Sequence, residues 1–117
     1  WPVWRFRTKG YVFSSPTVLG STVFVGSADG FLYAVDAETG RQRWKYGTGG
    51  AVTSSPVVAN DVVYIGSNDG AIHAVDSRQG RGLWHYETGS PIPSSPLVSG
   101  DTVYIGSTDN KVYALPT

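Results

Sequence analysis

Residues 34–44 read Ala34-Val35-Asp36-Ala37-Glu38-Thr39-Gly40-Arg41-Gln42-Arg43-Trp44, and residues 74–84 return to the same pattern as Ala74-Val75-Asp76-Ser77-Arg78-Gln79-Gly80-Arg81-Gly82-Leu83-Trp84. A third copy starts at Ala114-Leu115 and reaches only to Thr117. Trp4 stands near the N-terminus with no Ala-x-Asp stretch before it. Trp4, Trp44 and Trp84 are 40 residues apart, so residues 1–117 read as one segment made of three copies of one unit, approximately 4–43, 44–83 and 84–117.

Working outward from that motif, each unit shows four stretches with strand character. Trp4-Arg5-Phe6-Arg7-Thr8, Trp44-Lys45-Tyr46-Gly47-Thr48 and Trp84-His85-Tyr86-Glu87-Thr88 set aromatics two apart, which places them on one face of a strand. Ser-Ser-Pro follows at 14–16, 54–56 and 94–96. Proline is confined to the start or edge of a strand, which suits an innermost strand beside an open channel. Val23-Phe24-Val25-Gly26-Ser27 and its copies at 63–67 and 103–107 form the next stretch. Phe31-Leu32-Tyr33-Ala34-Val35 and its copies at 71–75 and 111–115 form the last. The connections Gly20-Ser21, Asn60-Asp61, Gly100-Asp101, Asp29-Gly30, Asp69-Gly70 and Asp109-Asn110 use residues that tolerate positive φ. The expectation is an all-β chain: one four-stranded antiparallel meander per unit, twelve strands in all, and no α-helix.

Composition narrows the function classes. Nine Lys and Arg balance nine Asp and Glu. Phosphate recognition depends on summed positive charge, so zero net charge argues against a nucleic-acid partner. The lack of Cys excludes disulfides, thiolate metal sites and cysteine nucleophiles. No apolar run approaches the roughly 18 residues of a membrane span, so no membrane insertion is expected. The chain opens on Trp1 without a charged and apolar leader, and reads as a processed product or a fragment. No nucleophile elbow, P-loop or haem-attachment sequence occurs.

A lone four-stranded sheet cannot cover both faces, and radial stacking of units of about 40 residues is the β-propeller solution. Ala-x-Asp-x-x-Thr-Gly-x-x-x-Trp resembles the tryptophan-docking motif of the PQQ-like, quinoprotein-type β-propeller repeats. The Ser-Ser-Pro and Val-Tyr-x-Gly-Ser-x-Asp-Gly segments are similar to the same family's repeat. The Gly-His and Trp-Asp dipeptides of WD40 repeats do not occur. The resemblance implies that Trp4, Trp44 and Trp84 dock between blades, with Gly40 and Gly80 as platforms. Ala34, Ala74, Ala114, Asp36 and Asp76 complete the docking motifs, while Gln79 stands at the family's Thr. Trp44 and Trp84 are both expected to be buried, each costing about 3–5 kcal/mol on replacement by Ala. The resemblance also implies an extracytoplasmic location, periplasmic or extracellular.

Enzymes and binding modules both occur in this family. Its PQQ-dependent alcohol dehydrogenases add long insertions that carry a vicinal Cys pair, a calcium site and a catalytic Asp. This chain has minimal loops and no Cys. The expectation is therefore a chain without catalysis, cofactor or metal: a scaffold or binding module, as in the family's outer-membrane assembly lipoprotein. The alternatives are a remnant of a PQQ-dependent dehydrogenase propeller and the ligand-sensing domain of a membrane Ser/Thr kinase. Asp29, Asp69 and Asp109 recur in turns, which favours backbone bonding over metal ligation. His73 stands where other copies have Tyr33 and Tyr113, and His85 where they have Arg5 and Lys45, so both read as packing or surface substitutions. One corner differs among the copies. Arg7, Lys9, Tyr11 and Phe13 replace Gly47, Gly49, Ala51 and Thr53, and make a candidate face for a ligand, peptide or protein partner.

Three blades fall short of the roughly four to eight of a closed propeller. Thr117 aligns with Ser77 and Trp1 with Arg41, so the third unit lacks its outer strand and residues 1–8 form an outer strand without a blade. The expected partner is a second copy in a head-to-tail homodimer, a six-bladed ring in which residues 1–8 complete the other chain's third blade and Trp4 sits beside Ala114. A trimer would make nine blades, outside the usual range.

Overall fold

Left-handed backbone at two turns in each unit folds the chain back on itself. Gly20 (φ 58°), the pair Asn60 and Asp61 (51° and 63°) and Gly100 (58°) make the first hairpin of each unit, and Gly30 (94°), Gly70 (92°) and Asn110 (71°) make the second. The structure is a computed structural model that describes residues 3–117, so Trp1 and Pro2 of the expected outer strand lie outside the described residues.

These turns separate short antiparallel strands. β1 (Thr17–Leu19), β2 (Thr22–Gly26), β3 (Phe31–Asp36) and β4 (Gln42–Gly47) form the first sheet, in chain order. β5 (Val57–Ala59), β6 (Val62–Gly66), β7 (Ala71–Asp76) and β8 (Gly82–Glu87) repeat it. β9 (Leu97–Ser99), β10 (Thr102–Gly106) and β11 (Val112–Pro116) form a three-stranded third sheet. Ala34 lies opposite Trp44 and Ala74 opposite Trp84, and the register then slips so that Val35 faces Gln42 and Val75 faces Gly82. The slip leaves one extra residue, Arg43 or Leu83, on the outer strand.

The described residues thus hold eleven strands where twelve were expected. Trp4–Thr8 has strand-like sequence but no strand pairing. A strand exists through a neighbour's N–H and C=O groups, and among the described residues no sheet edge lies beside this segment. The inner strands are also shorter than the sequence suggests, beginning after Ser-Ser-Pro, because the prolines have no N–H to give to a ladder.

The three sheets pack face to face as a partial propeller, and the core lies in the two seams between them. Phe24, Leu32, Ala34 and Trp44 meet Val52, Val63, Ile65 and Val75 in the first seam. Tyr64, Ile72 and Ala74 face Val103, Ile105 and Ile92 in the second. Each seam has one close insertion. A Cβ at Gly26 would lie 2.5 Å from Val52 Cγ1, and a Cβ at Gly66 would collide with Ile92 Cγ2. Glycine at these two positions makes the hole that the incoming aliphatic side chain fills.

Candidate functional site

The docking motif builds its seam from backbone outward. Asp36 Oδ1 accepts from the backbone N–H of Glu38 (2.8 Å) and Thr39 (3.1 Å), which shapes the turn that presents Gly40 at φ 74°. Arg43, the extra residue of the slipped register, donates to Asp36 Oδ2 at 2.8 Å. The hydrogen bond from Arg43, with those from the backbone, holds the Asp36 carboxyl down to about 2. Asp76 makes the same turn with longer bonds, 3.5 Å from Arg78 and 3.2 Å from Gln79, and Leu83 takes the place of Arg43. Thr39 accepts from the Arg41 N–H at 3.3 Å. No matching bond forms at Gln79 among the described residues.

The indoles then rest on the next motif. Trp4 Nε1 donates to the Ala37 carbonyl at 2.8 Å, and Trp44 Nε1 to the Ser77 carbonyl at 3.1 Å. A Cβ on Gly40 would stand 2.8 Å from Trp4 Cδ2, and one on Gly80 would stand 2.5 Å from Trp44 Cδ2. Trp44 is 9% exposed. Trp84 differs from the expectation of full burial. It is half-buried and has no described indole hydrogen bond, and it borders an open cleft of about 300 Å³ with His85, Tyr86, Leu115, Pro116 and Thr117. Trp44 rests on Gly80, whereas no position among the described residues, which reach Thr117, corresponds to Gly80 beside Trp84. Ala34 and Ala74 are buried beneath their tryptophans, while Ala114 is exposed.

The recurring turn aspartates are also occupied. Asp29 accepts from the Phe31 N–H (3.0 Å), the Lys9 N–H (3.1 Å) and the Tyr33 hydroxyl. Burial works against the Asp29 charge, but these hydrogen bonds outweigh it and lower its pKa. Burial, together with the same contact, pushes Tyr33 up to about 12. Asp109 and Tyr113 repeat the pair. In the middle unit His73 replaces the tyrosine, with Nε2 2.9 Å from Asp69 Oδ2 and Nδ1 2.9 Å from the Tyr46 hydroxyl. His85 stacks on it at 5.7 Å. His73 is thus a polar bridge across a seam, a role that its reading as a packing or surface substitution did not include. The clue was in the sequence, since Asp stands four residues before Tyr33, His73 and Tyr113 alike. Burial lowers the His73 pKa, against the pull of Asp69.

The serines of Ser-Ser-Pro tie the sheets internally and to each other. Ser54 Oγ donates to the Gly66 carbonyl (3.1 Å) and accepts from the Gly66 N–H (2.8 Å), and Ser14 does the same for Gly26. The Ser15 N–H donates to Ser55 Oγ and the Ser55 N–H to Ser95 Oγ, both at 2.8 Å.

The variable corner lies at one end of the first sheet. Lys9 reaches the Asp29 turn through its backbone, and Tyr11 accepts from the Ala28 N–H at 2.8 Å. Arg7 and Lys9 are exposed. Tyr11 and Phe13 are 78% and 67% exposed and meet edge to face at 5.9 Å. Arg7, Lys9 and Tyr11 line a shallow cleft of about 450 Å³ that Phe13 does not line. Among the described residues, no group of three or more His, Asp or Glu side chains gathers where it could hold a metal ion. No helix there is long and apolar enough to cross a membrane.

Known proteins place this geometry. The family model described as outer membrane protein assembly factor BamB matches residues 2–117. BamB from Moraxella catarrhalis superimposes with a TM-score of 0.84 at 28% identity, over 98% of this chain and 36% of that one. The quinohemoprotein alcohol dehydrogenase ADHIIG from Pseudomonas putida HK5 gives 0.84 at 24% identity, over 97% and 20%. A europium-containing methanol dehydrogenase gives 0.77 at 22% identity, over 91% and 24%. At those identities the two dehydrogenases share the fold alone. No curated protein sequence matches. The chain spans about a third of the BamB structure. With the model match running from residue 2 to residue 117, the chain belongs to the BamB-like family of PQQ-type propeller repeats.

Proposed function

We propose that this chain is a non-catalytic β-propeller scaffold and binding module, an interaction domain of a larger protein that works outside the cytoplasm. The observation that carries this reading is how the polar side chains are used. Those shared by the repeats are spent on turns, glycine backbones and seams, as with Asp29, Asp36, Asp69 and Ser54. Three that differ, Arg7, Lys9 and Tyr11, are exposed, with the exposed Phe13 against Tyr11.

The residues do not fit the quinone cofactor of the dehydrogenase relatives. The chain has no cysteine, and its turn carboxylates are already bound to backbone N–H groups, tyrosine or histidine. The BamB likeness favours a protein or peptide as partner. Titrating the chain with pyrroloquinoline quinone and calcium tests the reading. No saturable absorbance change is expected, and a stoichiometric one would overturn it.

A further inference from the structure

The first seam carries polar groups that its architecture does not use. At the end of the strands opposite Lys9 and the Asp29 turn, the first two sheets leave a cleft of about 250 Å³ between them. Leu19, Phe24 and Arg43 line it from the first sheet, and Asp61, Ser77 and Arg78 line it from the second. A sheet stands on each side, so neither wall is an open end of the stack.

The repeats themselves show which groups are surplus. The Trp44 indole uses only the Ser77 carbonyl, just as Trp4 uses the carbonyl of Ala37, a residue with no hydroxyl. The Ser77 N–H is held by the Asp61 carbonyl at 3.0 Å. Ser77 is therefore fixed in place and 6% exposed, and its hydroxyl has no hydrogen bond among the described residues. Arg43 is likewise not needed for its turn, since Asp76 makes the same turn with Leu83 in that place. Yet Arg43 is pinned. Its Nη1 donates to Thr22 Oγ1 at 2.5 Å, and its Nη2 to Ser21 Oγ at 3.0 Å and Asp36 Oδ2 at 2.8 Å. These bonds leave Nε and one Nη1 N–H for a further acceptor. In the second unit Val62 and Leu83 stand at the places of Thr22 and Arg43, so the polar set belongs to the first seam.

The charges of the cleft balance. Arg43 pairs with Asp36 at 2.8 Å, and Arg78 lies 3.8 Å from Asp61. A bare anion would leave a negative excess and a bare cation a positive one, whereas a zwitterion leaves neither. The groups are also graded in depth: the Arg43 side chain is 38% exposed, against 63% for Asp61 and 80% for Arg78. The unspent donors of Arg43 and Ser77 therefore suit a carboxylate, Asp61 at the mouth suits an ammonium group, and Leu19 and Phe24 supply an apolar wall. We infer that this cleft binds a free α-amino acid with a short apolar side chain, its carboxylate held by Arg43 and Ser77 and its ammonium group by Asp61. Arg43 already has three partners, so binding costs it little side-chain entropy. The inference goes beyond the scaffold reading, adding a small-molecule site at the opposite end of the strands from the corner offered to a protein or peptide.

The test is a titration of the 117-residue chain with L-leucine, followed in proton–nitrogen correlation spectra. Saturable shifts are expected at the Ser21, Thr22, Ser77 and Arg78 amides and at Arg43 Nε, with a Kd on the order of 1 mM. Isocaproate, which lacks the ammonium group, should bind about tenfold more weakly, and isoamylamine, which lacks the carboxylate, should not saturate. Ser77→Ala copies the residue at position 37 and should raise the Kd about tenfold. Arg43→Leu copies the residue at position 83 and should remove saturation. Signal dispersion reports the fold of each variant, and Ser77→Ala keeps the test decisive even where Arg43→Leu unfolds the chain. No saturable shift with leucine at roughly tens of millimolar would overturn the inference. Equal affinity for isoamylamine would overturn it too, as would a Kd unchanged by Ser77→Ala. Neither quinone nor calcium enters these titrations, so this site and the scaffold reading fail separately.

Discussion

Replacing Trp44 and Trp84 one at a time by Ala separates docking from mere repetition. An aromatic side chain of this size hides about 150–250 Å² on burial. At about 25 cal/mol/Å² the lower figure gives ~4 kcal/mol for Trp44, which is 9% exposed. The bond from Nε1 to the Ser77 carbonyl adds ~1 kcal/mol, and residual burial in the denatured chain removes a comparable amount. The expected loss for Trp44→Ala is thus about 4 kcal/mol, within the range for large core aromatics. Trp84 is half-buried and lacks both the glycine platform and a described indole bond. Its loss should be nearer 2 kcal/mol. Urea unfolding followed by far-UV circular dichroism reads both, at one protein concentration, because association would shift apparent stability. Equal losses, or a larger loss at Trp84, would refute the argument that the glycine platform makes the docking.

Two further outcomes follow from the same geometry. Gly80→Ala meets the Trp44 ring as well as backbone strain at φ 73°, whereas Gly100→Ala at φ 58° meets nothing within 4 Å. The first should cost about 3 kcal/mol or more in the same assay and the second about 1 kcal/mol. His73 has a folded-state pKa below its ordinary value of 6.5, so its contribution is present above about pH 6.5 and is lost as pH falls through the folded value. His73→Tyr, the residue type of the other two units, should remove that acid loss. Stability measured at pH 5 and pH 8 checks this, and an unchanged difference between the two pH values would refute it.

The period and the turns were legible because they are local and repeated. Asp29-Gly30, Asp69-Gly70 and Asp109-Asn110 mark one hairpin three times, and the left-handed backbone at 30, 70 and 110 follows from residue type. The seam insertions were not legible. Nothing near Gly26 in sequence announces Val52, since the contact depends on how two sheets stack rather than on any periodicity within one. Whether residues 4–8 pair within the described residues was not legible for a similar reason. Alternating aromatics specify a strand's face, but pairing depends on whether a neighbour is present. The Tyr46–His73–Asp69 bridge lay half in view, with its seam-crossing half set by packing.

The serine ladder has a consequence for how fast such a molecule can form. The Ser15 N–H reaches Ser55 Oγ and the Ser55 N–H reaches Ser95 Oγ, each across 40 residues of sequence. Seam contacts join one unit only to the next, so the mean loop closed on folding is set by the unit and not by the number of units. A tandem gene carrying more copies would lengthen the chain without lengthening its loops. Folding could start in any adjacent pair and zip outward, at a rate nearly independent of copy number.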